Sequence, residues 1–444
     1  MFYFRSPFAS SFMKTTALRI YGEQDLRLET FELPPIQPDE ILVDIVTDSI
    51  CMSSYKAAKQ GARHKRVPDD VAEHPTIVGH EFAGRIVEVG EKYRGVWEVG
   101  QLYGIQPAIN YEQAPVGVLS APGYSYQYIG GNATYAIVPK DVLEQGCLLP
   151  YSGDAFFKAS LAEPMSCIIG AVRAHYHVKP GTYQHLMGIV EGGNMALLAG
   201  CGPMGLGMID YALHGPRQPR LLVVTDIDDA RLARAQELFP REVSEASGVN
   251  LVFINSLKEN LLQHIKDLTN GHLIDDVFVF APIPAVFEQG QQILGFEGTL
   301  NFFAGPTDTS LSAKLNIYDV HYNYHKILGT SGGNTDDMRE ALQLMSEGKI
   351  NPSAMITHIG GITAAAETIL HLPNIPGGKK LIYNEFDMPL VAIADLERLG
   401  AETEGVLGEL YRGLAPLVAQ HKGLWSTEAE RFLLGFREQL RYKG

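Results

Sequence analysis

Cysteine, basic charge and long apolar runs are all scarce in this chain, and each scarcity excludes something. The four cysteines, Cys51, Cys147, Cys167 and Cys201, form no CxxC pair and no dense framework in 444 residues. That excludes a disulfide-stapled secreted scaffold and points to a reducing cytoplasm. Lysine and arginine total 36 against 51 acidic residues, a formal charge of −15. Such a field repels nucleic-acid phosphates and anionic lipid, so neither nucleic acid nor a membrane surface is an expected partner. The most apolar stretch, Asn194 to Leu213, is broken by Gly200, Gly202, Pro203, Gly205, Gly207 and Asp210, so no segment is long enough to span a bilayer. Met1 to Phe12 has a single arginine and no clear apolar h-region. It reads as a disordered leader ahead of Met13 rather than a cleaved signal.

What remains is a globular composition, 45% hydrophobic and 20% charged, with length for two or three domains. From Lys14 to about Pro150, short β-branched runs such as Ile41 to Val46, Phe82 to Val89 and Thr134 to Val138 alternate with Gly and Pro. That spacing predicts a mostly β domain. Glu163 and Pro164 then open a helix with Met165, Ile168, Ile169 and Val172 on one face, ended by Lys179, Pro180 and Gly181. Next comes a βα alternation, with strands at Met195 to Ala199, Leu221 to Thr225, Leu251 to Ile254, Asp276 to Phe280 and Thr299 to Phe303. This predicts a doubly wound parallel sheet. Beyond Gly329 the pattern gives a helix capped by Asn334, a helix near Thr363 to Leu370 and a strand Lys380 to Tyr383. The tail from Glu385 to Gly444 reads as amphipathic and helical, a packing or oligomer element.

Gly200-Cys-Gly202-Pro203-Met204-Gly205 follows an apolar strand directly and opens an apolar helix. The first glycine suits a tight turn, the second lets backbone approach a pyrophosphate, and the third lets helix and strand pack closely. Asp226 ends the next strand, 21 residues after Gly205, which is the spacing of a carboxylate for the adenosine ribose. A carboxylate there repels a 2′-phosphate, so NAD(H) is expected in preference to NADP(H). The plainer account, a tight turn beside a solvated strand end, must explain why strand, glycines, helix and acid all agree.

Cys51, His80 and Glu163 are candidate ligands for a zinc ion that keeps one coordination position open. Glu81 could serve as a ligand or as a partner of one. Taken singly, each has an ordinary alternative: a packed cysteine, a satisfied core histidine, a carboxylate complementing a helix dipole. Spacing alone leaves both accounts standing.

Together these residues resemble the zinc-dependent medium-chain dehydrogenase/reductase family from about Met13 to Tyr383. The motifs are Cys51 with Ser53 two positions on, Gly79-His80-Glu81 with Gly84 and Val89-Gly90, the Glu163-Pro164 helix start, the glycine fingerprint with Asp226 and Arg231, and Gly329 to Arg339. The segments Asp44 to Cys51, Lys65 to Ala72 and Asn301 to Pro306 are most similar to the sorbose-1-phosphate reductases of that family. The resemblance implies an α/β fold, a Rossmann sheet domain plus a mostly β GroES-like catalytic domain. It divides the chain into 13–183, a nucleotide domain 184–328, and a return to the catalytic domain with a helical extension, 329–444. It implies zinc on Cys51, His80 and Glu163, with Glu81 as an exchanging fourth, and Ser53 as proton relay. Asp226 and Arg231 would recognise adenosine, with Gly200, Gly202, Pro203, Met204, Gly205, Ala304, Gly305 and Thr330 along the cofactor. NAD(H) would be preferred with NADP(H) also accepted, and the assembly would be a homo-oligomer, dimer or tetramer. Two departures stand out. The stretch from Gly104 to Gly131, where the family carries a four-cysteine zinc lobe, has no cysteine, so one zinc is expected and no structural one. After Ser53 the chain reads Ser54, Tyr55 and Lys56, in place of the family's usual Asp and His.

The expected activity is reversible hydride transfer between NAD(P)H and a ketose phosphate, L-sorbose 1-phosphate to D-glucitol 6-phosphate. The alternatives are a polyol dehydrogenase of unphosphorylated sugars, a metal-free reductase of the same fold, and a non-catalytic sensor of the nucleotide. The phosphate expectation rests also on Lys56, Lys59, Arg63, His64, Lys65 and Arg66, a cationic cluster between two candidate ligands in an acidic chain. Lys56, closest to Cys51 and Ser53, is the first choice for the pocket. The competing account is a solvated loop partly neutralised by Asp69, Asp70 and Glu73.

Overall fold

The computed structural model describes residues 13–443, and the expected leader, Met1 to Phe12, lies outside them. Two sheets organise the chain. The βα alternation folds into a six-stranded, wholly parallel sheet. Its spatial order is Asn250–Asn255, Leu221–Asp226, Asn194–Leu198, Ile274–Val279, Leu294–Phe302 and Lys326–Gly329. The chain reverses direction across the sheet between Asn194–Leu198 and Ile274–Val279, and in open parallel sheets such a switch point opens a ligand crevice at the carboxyl ends of the strands. All five residues of Asn194–Leu198 are buried, as a central strand covered on both faces requires.

The second sheet joins distant parts of the chain. Strand Ile41–Ile50 pairs with Phe82–Val89 along one edge and, along the other, with Tyr135–Val138 at its start and Lys379–Tyr383 at its end. Lys379–Tyr383 pairs in turn with Ile356–Gly361. The late segment thus completes the sheet begun by the early one.

The expected helix after Glu163 runs Ala162–Ala174. It stops earlier than Lys179 because Tyr176–Val178 turns into a strand and pairs with His185–Met187, so this hairpin straddles the expected boundary at 183. The helix buries Met165, Ile168 and Ile169 in one core with Leu206, Met208 and Ile209 of helix Pro203–His214 and with Met338, Leu342 and Met345 of helix Thr335–Ser346. Contact with the first of these is so close that a Cβ on Gly207 would lie 2.8 Å from Ile168 Cδ1. A second tie joins the linker to the parallel sheet: buried Asp276 accepts hydrogen bonds from His175 Nδ1 at 2.7 Å, His177 Nε2 at 2.9 Å and Val190 N at 2.8 Å.

The tail forms helices Leu396–Glu402, Gly405–Gln420 and Thr427–Leu434. Leu410, Leu414, Trp425 and Leu433 pack with Phe156, Phe157, Ile359 and Tyr383 in a common core, so the tail is a packing element of the second sheet. No helix among the described residues is long and apolar enough to cross a membrane.

Candidate active site

Cys51 stands in extended conformation (φ −114°, ψ 150°) at the start of helix Met52–Gln60, just past strand Ile41–Ile50. This helix was not legible as an element in the sequence; Ser54, Ala57 and Ala58 form its buried face. His80 and Glu81 precede strand Phe82–Val89. The chain reaches them through Gly79 at φ +103°, where a Cβ would fall 2.6 Å from Asp48 Oδ2, so both conformation and space demand glycine. Glu163 lies in the first turn of helix Ala162–Ala174.

One donor atom each from Cys51, His80 and Glu81 lie within 4.8 Å of one another. Glu163 falls outside that tight group, yet its charge acts on His80 and it is itself buried. Burial, then Glu81, pushes the Glu163 carboxyl up to about 7. Burial also raises the Cys51 thiol and lowers the His80 imidazole. A thiol, an imidazole and a carboxylate within 4.8 Å of one another, with a second buried carboxylate acting on them, suit zinc, a borderline ion that takes sulfur, nitrogen and oxygen donors. The residues present therefore fit the ion.

The surroundings contain groups that sequence reasoning missed. Lys379 Nζ donates to both Glu81 oxygens, at 2.5 and 2.7 Å, with both residues buried. Burial works against the charged form of each, but their attraction outweighs it and holds Glu81 low and Lys379 high. The only sequence signal was a lysine pair opening an otherwise apolar strand, and the partner lies 298 residues away. Tyr124 Oη lies 2.9 Å from His80 Nδ1, the two ring centroids 4.8 Å apart. Ser54 Oγ lies 3.3 Å from the same nitrogen. The Ser53 hydroxyl helps lower the titration of both the Cys51 thiol and the Tyr124 phenol, against a larger upward push from burial. Asp48 accepts from Glu81 N and from Asn132 Nδ2, fixing the backbone next to His80.

The glycine turn connects strand Asn194–Leu198 to helix Pro203–His214, with Pro203 in the first turn. A Cβ on Gly205 would sit 2.0 Å from Gly200 O, whereas one on Gly202 would meet nothing within 4 Å. Gly205 thus permits close packing, and Gly202 leaves the open face through which a ligand approaches the helix N-terminus. Asp226 ends its strand beside this turn, accepting from Ile227 N, Asp228 N and Cys201 N. Arg231 is exposed on helix Asp229–Leu238. Ala304 and Gly305 follow strand Leu294–Phe302, and Thr330 follows strand Lys326–Gly329, all at the carboxyl edge of the parallel sheet. Thr330 Oγ1 is held by Asn301.

Comparison with known proteins agrees with this geometry. Residues 203–347 match the family model described as zinc-binding dehydrogenase, and residues 37–147 match the alcohol dehydrogenase GroES-like domain. The chain is 49% identical to a mannitol-1-phosphate 5-dehydrogenase of Aliivibrio fischeri, over 95% of this chain and 98% of that one. It is 47% identical to an L-sorbose 1-phosphate reductase of Klebsiella pneumoniae, over 96% and 98%. Among solved structures, 2R,3R-butanediol dehydrogenase from Bacillus subtilis superposes with a TM-score of 0.64 at 21% identity, covering 83% of this chain and 99% of that one. The chain belongs to the zinc-dependent medium-chain dehydrogenase/reductase family. It is an NAD(P)-dependent oxidoreductase of the alcohol and polyol dehydrogenase type.

Proposed function

We propose that this enzyme interconverts a ketose phosphate and the corresponding polyol phosphate, L-sorbose 1-phosphate and D-glucitol 6-phosphate being the pair its closest-reading motifs favour. The observation that carries the reading is the convergence of Cys51, His80 and Glu81 donor atoms within 4.8 Å, in a chain whose relatives at 47% and 49% identity both bear names with a phosphorylated sugar or polyol. Cys51, His80 and Glu163 would hold a single zinc, with Glu81 exchanging between the ion and Lys379. Bound there, the ion supplies Lewis-acid polarisation of the C2 oxygen and the nicotinamide supplies or accepts the hydride at C2.

The chain's own residues do the rest. Ser53 passes a proton to the C2 oxygen during reduction and removes it during oxidation. The turn Gly200 to Gly205 presents backbone N–H groups to the pyrophosphate, and Ala304, Gly305 and Thr330 border the nicotinamide side. Asp226 takes the adenosine ribose hydroxyls with Arg231 beside it, which favours NAD(H). The stretch Gly104 to Gly131, without cysteine, supports a single zinc.

The proposal extends to organisation. The catalytic domain comprises 13–183 and 329–444, with the nucleotide domain 184–328 between them, supported by the pairing of Lys379–Tyr383 with Ile41–Ile50. A homo-oligomer is supported by exposed Phe296, Tyr318, Tyr322 and Tyr324 near the sheet-edge strand Lys326–Gly329. The cysteine pattern supports a cytoplasmic setting.

A zinc-replete assay following nicotinamide absorbance across phosphorylated and free ketoses and polyols tests the reading. Turnover of L-sorbose 1-phosphate with NADH, lost in Cys51→Ala together with the metal, is expected. Activity only on free sugars would overturn the substrate, and a strong preference for NADPH would overturn the role given to Asp226.

A further inference from the structure

The six basic residues between Lys56 and Arg66 do not share one fate in the fold. Arg63 pairs with Glu23 at 2.7 Å on the open surface, and Lys59 Nζ donates to Tyr55 Oη at 3.2 Å. Lys65 is exposed. Lys56, His64 and Arg66 are half-buried, and among the described residues none of the three has a carboxylate within ion-pair distance. Three neighbouring cations, those of Arg66, Lys65 and Lys56, act on the His64 imidazole and, after burial, push its titration down to about 4. Cations gathered without a counter-charge repel one another, and a dianion placed among these groups relieves that repulsion.

Their placement gives that anion a function. The Arg66 guanidinium lies over the Tyr124 ring, Cζ 5.9 Å from the centroid. The same ring packs against His80, at 4.8 Å between centroids, so Arg66 is one aromatic ring removed from the metal-ligand cluster. Lys56 stands on the helix that begins after Cys51 and reaches across to Gly305 O at 3.5 Å, a carbonyl of the loop at the carboxyl edge of the parallel sheet. The two cations therefore flank the crevice in which hydride transfer would occur.

Arg66 is also braced. Its carbonyl accepts from Ser125 Oγ at 2.6 Å, and its Nη1 donates to Leu119 O at 2.7 Å, leaving Nε and Nη2 without an acceptor among the described residues. His64 Nδ1 accepts from Arg66 N at 3.3 Å, which puts the proton of the neutral imidazole on Nε2 as a further donor. The His64 ring stacks on Tyr124 with centroids 5.8 Å apart and planes 12° from parallel, so its edge is fixed.

We infer that Arg66, with Lys56 and the Nε2–H of His64, forms the subsite that holds the phosphate of the substrate and selects phosphorylated over free sugars. Arg66 is its principal residue, because a braced guanidinium offers a fixed pair of donors to two phosphate oxygens, whereas Lys56 supplies a point charge. This rests on the ketose-phosphate reading above.

The test compares wild type, Arg66→Met, Arg66→Lys and Lys56→Met on L-sorbose 1-phosphate and on L-sorbose, together with calorimetric titration of each zinc-loaded protein with inorganic phosphate. The ratio of kcat/KM for the phosphate ester to that for the free ketose is expected to fall tenfold or more in Arg66→Met, through KM. It should fall less in Lys56→Met and recover in part in Arg66→Lys. Phosphate binding should weaken in the same order. Equal losses on both sugars, or an unchanged ratio, would overturn the subsite. If wild type turns over no phosphorylated sugar, the ketose-phosphate reading fails. The titration then decides the subsite by itself: phosphate bound equally by wild type and Arg66→Met overturns it, and phosphate bound by wild type and lost in Arg66→Met upholds it as an anion site.

Discussion

Glu163 and Cys51 show how burial turns single residues into parts of a metal-dependent equilibrium. Both are held in the protonated form by burial, Glu163 up to about 7 with Glu81 adding to the effect. The His80 imidazole is lowered, mainly by burial. A zinc ion bound by this set must displace the protons of Glu163 and Cys51, while burial weakens the competition from a proton on His80. Each displaced proton makes the affinity fall about tenfold for every pH unit below the group's own value. Between pH 6 and pH 5, zinc affinity measured by chelator competition is expected to fall at least a hundredfold in the wild type and about tenfold less in Glu163→Gln. Identical slopes in the two proteins would remove Glu163 from the ligand set.

At the scale of elements, the C-terminal helices do for the catalytic sheet what no residue within it does. Glu430 of helix Thr427–Leu434 accepts hydrogen bonds from Phe156 N at 2.6 Å, Phe157 N at 2.9 Å and Tyr383 Oη at 2.9 Å. It thereby caps helix Phe156–Ser160, whose own N-terminal residue Ala155 has no capping side chain. Glu430→Ala leaves those donors buried and unpaired, an expected loss of about 2–4 kcal/mol in denaturant unfolding. Glu430→Gln keeps one acceptor oxygen and should lose less. Burial raises the Glu430 carboxyl to about 7 from its ordinary 4.5. The folded state therefore binds this proton more tightly, and the stability it contributes is complete below about 4.5 and is lost as pH rises through about 7. The stability difference between wild type and Glu430→Gln should shift against the wild type over that window. A pH-independent difference would mean that Glu430 is ionised throughout.

At the scale of the whole molecule, a net charge of −15 opposes a substrate that carries phosphate, while the unpaired cations at the crevice attract it. The local field wins at short range, because the Debye length is about 8 Å at physiological salt and distant acidic groups are screened. Raising sodium chloride from about 20 to 200 mM should lower kcat/KM for L-sorbose 1-phosphate severalfold and change that for L-sorbose little. A rise with salt for the phosphate ester would show that the overall acidic field governs the encounter.

The sequence alone determined the parallel sheet, the glycine turn with Asp226, and the identity of Cys51, His80, Glu81 and Glu163 as candidate donors. These are local patterns, set by side-chain period, by the backbone freedom of glycine and by residue types with few alternative uses. It also marked the basic cluster from Lys56 to Arg66, but not which of its members matter. Only the tertiary structure decided that Arg63 is spent on Glu23, that Arg66 is braced over Tyr124, and that Lys56 faces Gly305 across 249 residues of chain. The same holds for Lys379 beside Glu81 and for Glu430 capping a helix more than 270 residues earlier. The physical reason is common to all of them. A charge declares its chemistry in the sequence, but its partner is set by which strands and helices come to lie side by side, and no short-range pattern records that.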